Sequence, residues 1–336
     1  MATVESDLLI IGGGPAGLSA AINGASEGLS VSILDAHTTL GGQAIDSQAI
    51  ENYPGFPDGI TGLEMMSRFI DQAHKFSALP SCPVDVVDLR VDGKRYIATA
   101  ADYREFAGRV VLFSLGLTYR KLEVAGISRF MGRGVSYGMP SGPIKLHKGD
   151  GIVIVGGANS AGQAACHFAK NKNITVHLVC RRTLDDGMST YLVNRLRSAP
   201  NVIVHERTEI ESLERDGSGC LSAVYLQNNF VMVPDPVPAK HLMIYIGAMP
   251  RTRWLRNIVQ LDEHKFILTG SDVVAASKDF IQQWMRTPLP FETSLGGVFA
   301  AGDVRSGSTK RIAAAVGEGG AALQTIHRYR SMMNGE

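Results

Sequence analysis

An α/β protein of two three-layer domains, one inserted into the other, is predicted by three observations. Two apolar strand-like runs each pass straight into a glycine-rich turn that opens a helix, one near residue 10 and one near residue 151. A third short apolar run far downstream ends in Gly302-Asp303. The length, 336 residues, fits about two domains. Apolar residues make up 45% and charged residues 19%, enough for a sizeable core and too apolar for a disordered chain. Lys+Arg (33) and Asp+Glu (32) nearly cancel, to a net charge of +1. That balance excludes the basic footprint of a dedicated nucleic-acid binder and leaves no acidic tail. Glycine accounts for 37 residues, and much of the excess lies in glycine-rich turns.

The first unit begins with Asp7-Leu8-Leu9-Ile10-Ile11, a buried-strand run. It enters Gly12-Gly13-Gly14-Pro15-Ala16-Gly17, and Leu18 to Ile22 then reads as helix. A second strand, Ser30 to Leu34, ends at Asp35, 18 residues after Gly17. In such a β-turn-α-β unit each residue has a physical role. Gly12 permits the tight turn, Gly14 lets the backbone approach a pyrophosphate, and Gly17 lets helix and strand pack closely. The helix N-terminus faces the phosphates, and Asp35 is placed to accept a ribose hydroxyl.

The second unit repeats the plan with different endings. Gly151 to Val155 is the strand, Gly156 to Gly162 the turn and Gln163 to Lys170 the helix; Ile174 to Val179 then leads into Cys180-Arg181-Arg182. Arginine at the end of the second strand suits a 2′-phosphate by charge and by its fork of donors, which points to NADPH rather than NADH. Ala158 stands where the middle glycine of the fingerprint belongs, so its Cβ is expected near the pyrophosphate.

Two nucleotide sites in one chain suggest one chemistry: a flavin dinucleotide held permanently, and a nicotinamide nucleotide that visits and delivers hydride. The third block, Gly297-Val298-Phe299-Ala300-Ala301-Gly302-Asp303, reads as a strand whose terminal acid can bond a ribityl hydroxyl. The run Lys310 to Ala321 reads as a helix rich in small residues. Pro234 to Pro238 reads as a turn-rich stretch before a strand at His241 to Ile246. Thr269 to Pro290 reads as a lid or a dimer contact, and Trp254 and Trp284 as packing residues.

Other chemistries find little support. Cys82, Cys166, Cys180 and Cys220 contain no Cys-x-x-Cys and read as reduced thiols of a cytoplasmic protein. The nine histidines form no ligand-spaced cluster, so no metal is expected. Met1 to Asp7 carries no basic n-region, and no apolar run approaches ~18 residues, so neither a secretory signal nor a membrane span is expected.

Several collinear segments resemble the low-molecular-weight thioredoxin reductase family. They are GGGPAG at 12–17, GGQ at 41–43, ENYPGFPDGITG at 51–62, RKLEVAG at 120–126, GVSY at 134–137, VGGANSA at 155–161, the Arg181-Arg182 pair and ETSLGGVFAAGDV at 292–304. The resemblance implies an FAD-binding domain from residues 1–118 and 247–336, an inserted NADPH-binding domain over 119–246, and a homodimer. Both domains would be Rossmann-like, of the ββα-type three-layer kind. Carried over by position, FAD contacts fall on Gly12, Gly14, Pro15, Ala16, Gly17, Asp35, Gly42, Gln43, Asn52, Gly302 and Asp303. Lys310, Arg311 and Ile312 occupy the place of the family's Arg-Gln-Ala on the last helix. NADPH contacts fall on Gly156, Asn159, Ser160, Ala161, Arg181 and Arg182. A third arginine that the family often places further on is here Asp186.

The main departure comes just after GVSY. The family carries Cys-x-x-Cys there, and this chain has Gly138-Met139-Pro140-Ser141. None of these can carry two electrons as a disulfide. The closer likeness is to a subset of the family that tends to lack the pair, carried by Arg182, MSTYLVNRL at 188–196 and LDEHKFILTG at 261–270. The expectation is an NADPH-dependent flavoprotein oxidoreductase whose electrons leave to a small-molecule or protein acceptor such as a quinone, ferredoxin, flavodoxin or partner protein. No side chain is expected to act as acid or base in the hydride step, where positioning suffices. Two alternatives stay open: a flavin-binding regulatory or vestigial subunit without NADPH turnover, and a thiol-disulfide reductase using the scattered cysteines.

Overall fold

A computed structural model of the protein describes residues 4–47, 50, 52–139, 144–228 and 235–334. The chain divides into two compact units, one of residues 1–118 with 249–336 and the other of residues 119–248.

In the first unit, β1 (Val4–Ile11) lies between β2 (Val31–Leu34) and β6 (Glu105–Phe113), parallel to both, and β3 (Leu79–Ser81) extends the parallel side beyond β2. The far edge of β6 is shared. Its first half pairs antiparallel with β5 (Arg95–Ala100), which pairs in turn with β4 (Val86–Asp92). Its second half pairs parallel with β17 (Val298–Ala300), which returns from the far end of the sequence. Alternation along the strands builds two cores. Leu8, Ile10, Ile33, Leu112 and Phe299 face α1 (Pro15–Ser26), α2 (Gly62–Lys75) and α7 (Ile312–Asn334). Leu9, Ile11, Leu34, Val111 and Phe113 face the opposite layer. Each such fully buried side chain is worth roughly 1.5–3 kcal/mol.

Local signals set the helices. Pro15 opens α1 at a position where its missing N–H costs nothing. Thr61 caps α2 by accepting from the Glu64 N–H at 3.1 Å. Helix α7 crosses α1 closely because Gly319 has no side chain; a Cβ there would run into the Ala16 carbonyl.

The stretch Thr269 to Pro290 contains two short helices, α5 (Ser271–Ala276) and α6 (Asp279–Trp284). A buried ion pair clamps the chain just beyond α6. Arg286 donates to both oxygens of the fully buried Glu292 at 2.6 Å each, and its guanidinium lies over the rings of Phe280 and Tyr329. Trp284 packs on Gly296, and Trp254 meets Phe113 edge-on at 5.7 Å.

The chain passes between the units through β7 (Leu117–Tyr119) and β16 (Ala248–Pro250). The second unit holds a parallel sheet in the order β11 (Val202–Glu206), β10 (Thr175–Cys180), β9 (Gly151–Val155), β15 (His241–Ile244) and β8 (Val135–Tyr137). Ile152, Ile154 and Leu178 pack in one core with α3 (Asn159–Phe168) and α4 (Thr190–Ser198). Val153, Val155 and Val179 pack with residues of the antiparallel sheet β12 (Thr208–Arg215), β13 (Leu221–Asn228) and β14 (Asp235–Pro238).

Three expectations change. Asp235–Pro238 is a strand rather than a turn, with Pro234 outside the described residues, because β14 is an edge strand paired only with β13 among the described residues, and an edge tolerates prolines that cannot donate. The next strand, β15, ends at Ile244, not Ile246, and the last helix starts at Ile312, with Lys310 and Arg311 ahead of it.

Candidate functional site

In the first unit the turn after β1 is held open by backbone. Gly12 has φ +111°, and its N–H donates to the Leu34 carbonyl at 2.8 Å. A Cβ at Gly12 would press on the Ser114 carbonyl, and one at Gly17 would strike the Gly12 carbonyl. The Ser114 hydroxyl locks this corner by donating to the Gly12 carbonyl at 2.6 Å. Gly14 differs: a Cβ there would meet nothing within 4 Å. Gly14 is also the N-cap of α1 and offers no side-chain acceptor, so no side-chain cap bonds the first N–H groups of the helix. A cradle of that kind fits a pyrophosphate.

The other expected residues gather around this turn to differing degrees. The Gly13 N–H donates to Asp35 Oδ2 at 2.6 Å, and His37 donates its backbone N–H to Oδ1 at 2.8 Å with Nδ1 also 2.8 Å away. Oδ1 is thus largely committed, and Oδ2 keeps a free lone pair for a further donor. The Gly41 N–H donates to the Gly13 carbonyl at 2.7 Å, and a Cβ at Gly42 would lie 3.2 Å from Gly14 Cα. Gly302, with φ +77°, sits against Ala16, where a Cβ would come 2.9 Å from the Ala16 methyl. The chain thus brings Gly12, Gly14, Pro15, Ala16, Gly17, Asp35, Gly42 and Gly302 together.

Asp303 follows Gly302, half-buried, and makes no hydrogen bond among the described residues. Burial pushes its carboxyl up; Lys310 opposes this and the Glu318 charge adds to it. A half-buried acid without a partner, beside an open phosphate cradle, fits a dinucleotide with a hydroxylated linker. Lys310 Nζ donates to the Ser308 carbonyl at 3.3 Å and lies 4.3 Å from the centre of the Phe266 ring. Arg311 turns back to the Lys310 carbonyl, and Ile312 packs on the core. Gln43 donates to the Leu117 carbonyl at 2.5 Å, and Asn52 is exposed.

The second unit builds its own turn after β9. Gly156 has φ +151°, its N–H donates to Val179 at 2.9 Å, and a Cβ there would lie 2.5 Å from the Tyr245 carbonyl. Ala158 is the N-cap of α3, extended and exposed, so its methyl reaches outward without strain. Asn159 accepts from the Ser189 N–H at 2.8 Å, Ser160 is exposed and Ala161 is fully buried. Arg181 and Arg182 follow β10, both exposed; Arg181 Nε lies 3.8 Å from Glu209. Asp186 serves its own turn, accepting from the Thr183 N–H at 3.1 Å in a capping box. The order of the parallel strands reverses between β9 and β15, the place where open α/β sheets hold dinucleotides.

All four cysteines are free. Burial pushes the Cys180 thiol up to about 11, helped by the charges of Glu206 and Asp186, and burial also raises Cys166 and Cys82. Of the segment at the family's dithiol position, Gly138 and Met139 are described; Pro140 and Ser141 lie outside the described residues. Among the described residues no group of three or more potential metal ligands converges, and no helix is long and apolar enough to cross a membrane. Sequence reasoning missed Ser114, His37, Arg305 and Glu318, whose partners lie far along the chain or on a loop; a serine closing the β6 run was the one visible hint.

Two strand–turn–helix cradles, the second followed by paired arginines, define a flavoprotein oxidoreductase of the two-nucleotide class. Residues 6–319 match the profile of the pyridine nucleotide-disulphide oxidoreductases, and the chain belongs to that family. It is of thioredoxin reductase type, with FAD and NADPH as cofactors. It is 32% identical to a thioredoxin reductase of Mycoplasma pneumoniae, over 95% of this chain and 94% of that one. It is 30% identical to NADPH-dependent thioredoxin reductase 3 of Arabidopsis thaliana over 98% of its own length, but spans only 59% of that protein. The thioredoxin reductase of Streptococcus pyogenes superposes with a TM-score of 0.75 at 26% identity, covering 98% of this chain and 100% of that one.

Proposed function

We propose that the protein is an NADPH-dependent flavoprotein oxidoreductase whose electrons leave to an acceptor other than an internal dithiol. One observation carries this: the sequence runs Tyr137-Gly138-Met139-Pro140-Ser141 where the family it resembles has Cys-x-x-Cys, and its cysteines stand far apart at 82, 166, 180 and 220. FAD, when bound, supplies the hydride acceptance from NADPH and the onward release of electrons.

The chain's own residues bind and orient. The Gly12–Gly17 turn and the N-terminus of α1 would hold the flavin-side pyrophosphate, with Gly42 packed beside Gly14 and Asp35 and Asp303 as hydroxyl acceptors. Gly156 to Ala161 hold the second pyrophosphate, and Arg181 and Arg182 offer guanidinium forks to the 2′-phosphate. The elevated Cys180 thiol speaks against a thiolate route, since the thiolate is the reactive form. The acceptor is a quinone, a small redox protein or another partner. The protein works as a homodimer in the cytoplasm, a reading supported by the family likeness and by four reduced thiols.

Anaerobic rapid mixing of the flavin-loaded protein with NADPH tests the first half; an absorption band that does not bleach would leave only a flavin-binding subunit. Turnover with a quinone, and none with thioredoxin and an aromatic disulfide reporter, is the expected second half. Rapid thioredoxin-linked reduction would sink the dithiol-free reading.

A further inference from the structure

The loop between β17 and α7 is tied to one side chain. Glu318, on α7, is mostly buried and receives four donors from three residues of that loop. The Gly302 N–H donates to Oε2 at 2.8 Å and Arg305 Nε at 3.1 Å. Arg305 Nη2 donates to Oε1 at 2.7 Å, and the Ser308 hydroxyl also donates to Oε1 at 2.8 Å. A carboxylate has about four acceptor sites, so this one is filled. Burial works against its charge, and the bonds from Arg305 and Ser308 overcome that, holding the carboxyl below its ordinary value.

The place of this carboxylate matters as much as its bonds. Glu318 adjoins Gly319, where α7 crosses Ala16 in the first turn of α1. Gly302, whose N–H it holds, packs on the same Ala16. The next residue is Asp303, which makes no hydrogen bond of its own among the described residues and so takes its direction from the turn. One side chain therefore holds the backbone turn that carries Asp303 beside the phosphate cradle.

We infer that Glu318 is a positioning residue for the flavin site, setting the Gly302–Asp303 turn against the start of α1 and thereby the strength and pH dependence of FAD retention. This rests on the reading that FAD occupies the first unit. Glu318 touches no expected cofactor atom; it acts through Gly302. The charged groups that bear on Asp303 are Lys310 and Glu318 itself, with Arg305 held on Glu318.

The test uses the full chain stripped of flavin and retitrated with FAD across pH, with adenosine 2′,5′-bisphosphate titrated in parallel as a probe of the other unit. Glu318→Gln keeps the shape and loses the charge. It is expected to weaken FAD about tenfold, the loss of one charge-assisted hydrogen bond, while binding the bisphosphate as the wild type does. Removing a like charge beside Asp303 also moves the pH transition of FAD binding to lower pH, which a purely structural weakening does not do. Ser308→Ala removes one of the four donors and gives a smaller loss in the same direction, a second reading should Glu318→Gln fold poorly. Wild-type FAD affinity and an unmoved pH transition in both variants would overturn the inference. Wild-type apoprotein that binds the bisphosphate but takes up no FAD would sink the flavin reading itself, and the inference with it.

Discussion

Gly14→Ala and Gly17→Ala add the same methyl group three residues apart, and the structure assigns them opposite consequences. At Gly17 the new carbon meets backbone: it strikes the Gly12 carbonyl and stands 2.7 Å from Ser114 Oγ. Neither neighbour is the free end of a flexible chain, since Ser114 is itself bonded to Gly12. Helix α1 must move away from β1, at an overpacking cost of about 1–3 kcal/mol. For a unit of this size that lowers Tm by roughly 2–4 °C per kcal/mol. At Gly14 the carbon enters space with nothing within 4 Å, at an extended backbone that alanine adopts freely. The apoprotein should melt within about 0.5 kcal/mol of wild type, or slightly higher through a stiffer unfolded chain. FAD uptake should nevertheless fall by about tenfold or more, because the methyl sits where a pyrophosphate approaches. Differential scanning fluorimetry of the apoproteins and flavin absorbance after reconstitution measure the two effects. If Gly14→Ala reconstitutes like wild type, or Gly17→Ala melts like wild type, the assignment of these two glycines is wrong.

The second unit yields two further expected outcomes. Arg181→Ala with Arg182→Ala should lower the efficiency of flavin reduction by NADPH by roughly 10–100-fold and leave NADH nearly unaffected, because two charged donors to a phosphate are lost; stopped-flow reduction with each nucleotide measures it, and equal losses with both would refute the assignment. His177 lies 2.9 Å from His205, and burial, aided by that neighbour, lowers it from 6.5 to about 4. A depressed folded value means stability that is complete above the ordinary histidine value and lost as pH falls toward 4, since the unfolded chain binds the proton first. Urea midpoints should therefore drop between pH 7 and pH 4.5, and drop less in His177→Gln; parallel profiles would refute this origin.

The sequence made some features legible and hid others, for physical reasons. The apolar runs at Leu8–Ile11 and Ile152–Val155 announce strands because both faces of a parallel sheet are covered. Glycine spacing reports a turn whose geometry is local, and Gly12 and Gly156 take the positive φ such a turn requires. Pro236 and Pro238 misled because proline argues against a strand unless the strand is known to be an edge, which only pairing reveals. Ser114, Arg305 and Glu318 stayed hidden because their meaning comes from hydrogen bonds that close long loops of chain or fold one loop onto a helix. Asp35 was visible by position, but not its commitment to Gly13 and His37.

The interleaving of β17 with β6 has a consequence during synthesis. A ribosome releasing this chain delivers residues 119–248 as one continuous stretch with its parallel sheet complete. The other unit has β1, β2 and β6 early, but the second half of β6 stays bare along one edge until residues 298–300 emerge. Helices α1 and α2 are made early, but the part of the cover that α7 supplies comes only at the end. The inserted lobe thus matures first, while the earlier strands wait with an open flank, an exposure that chaperones would have to shield. Completing the proposed flavin site therefore waits for Gly302, Asp303 and α7, however early the glycine turn is made.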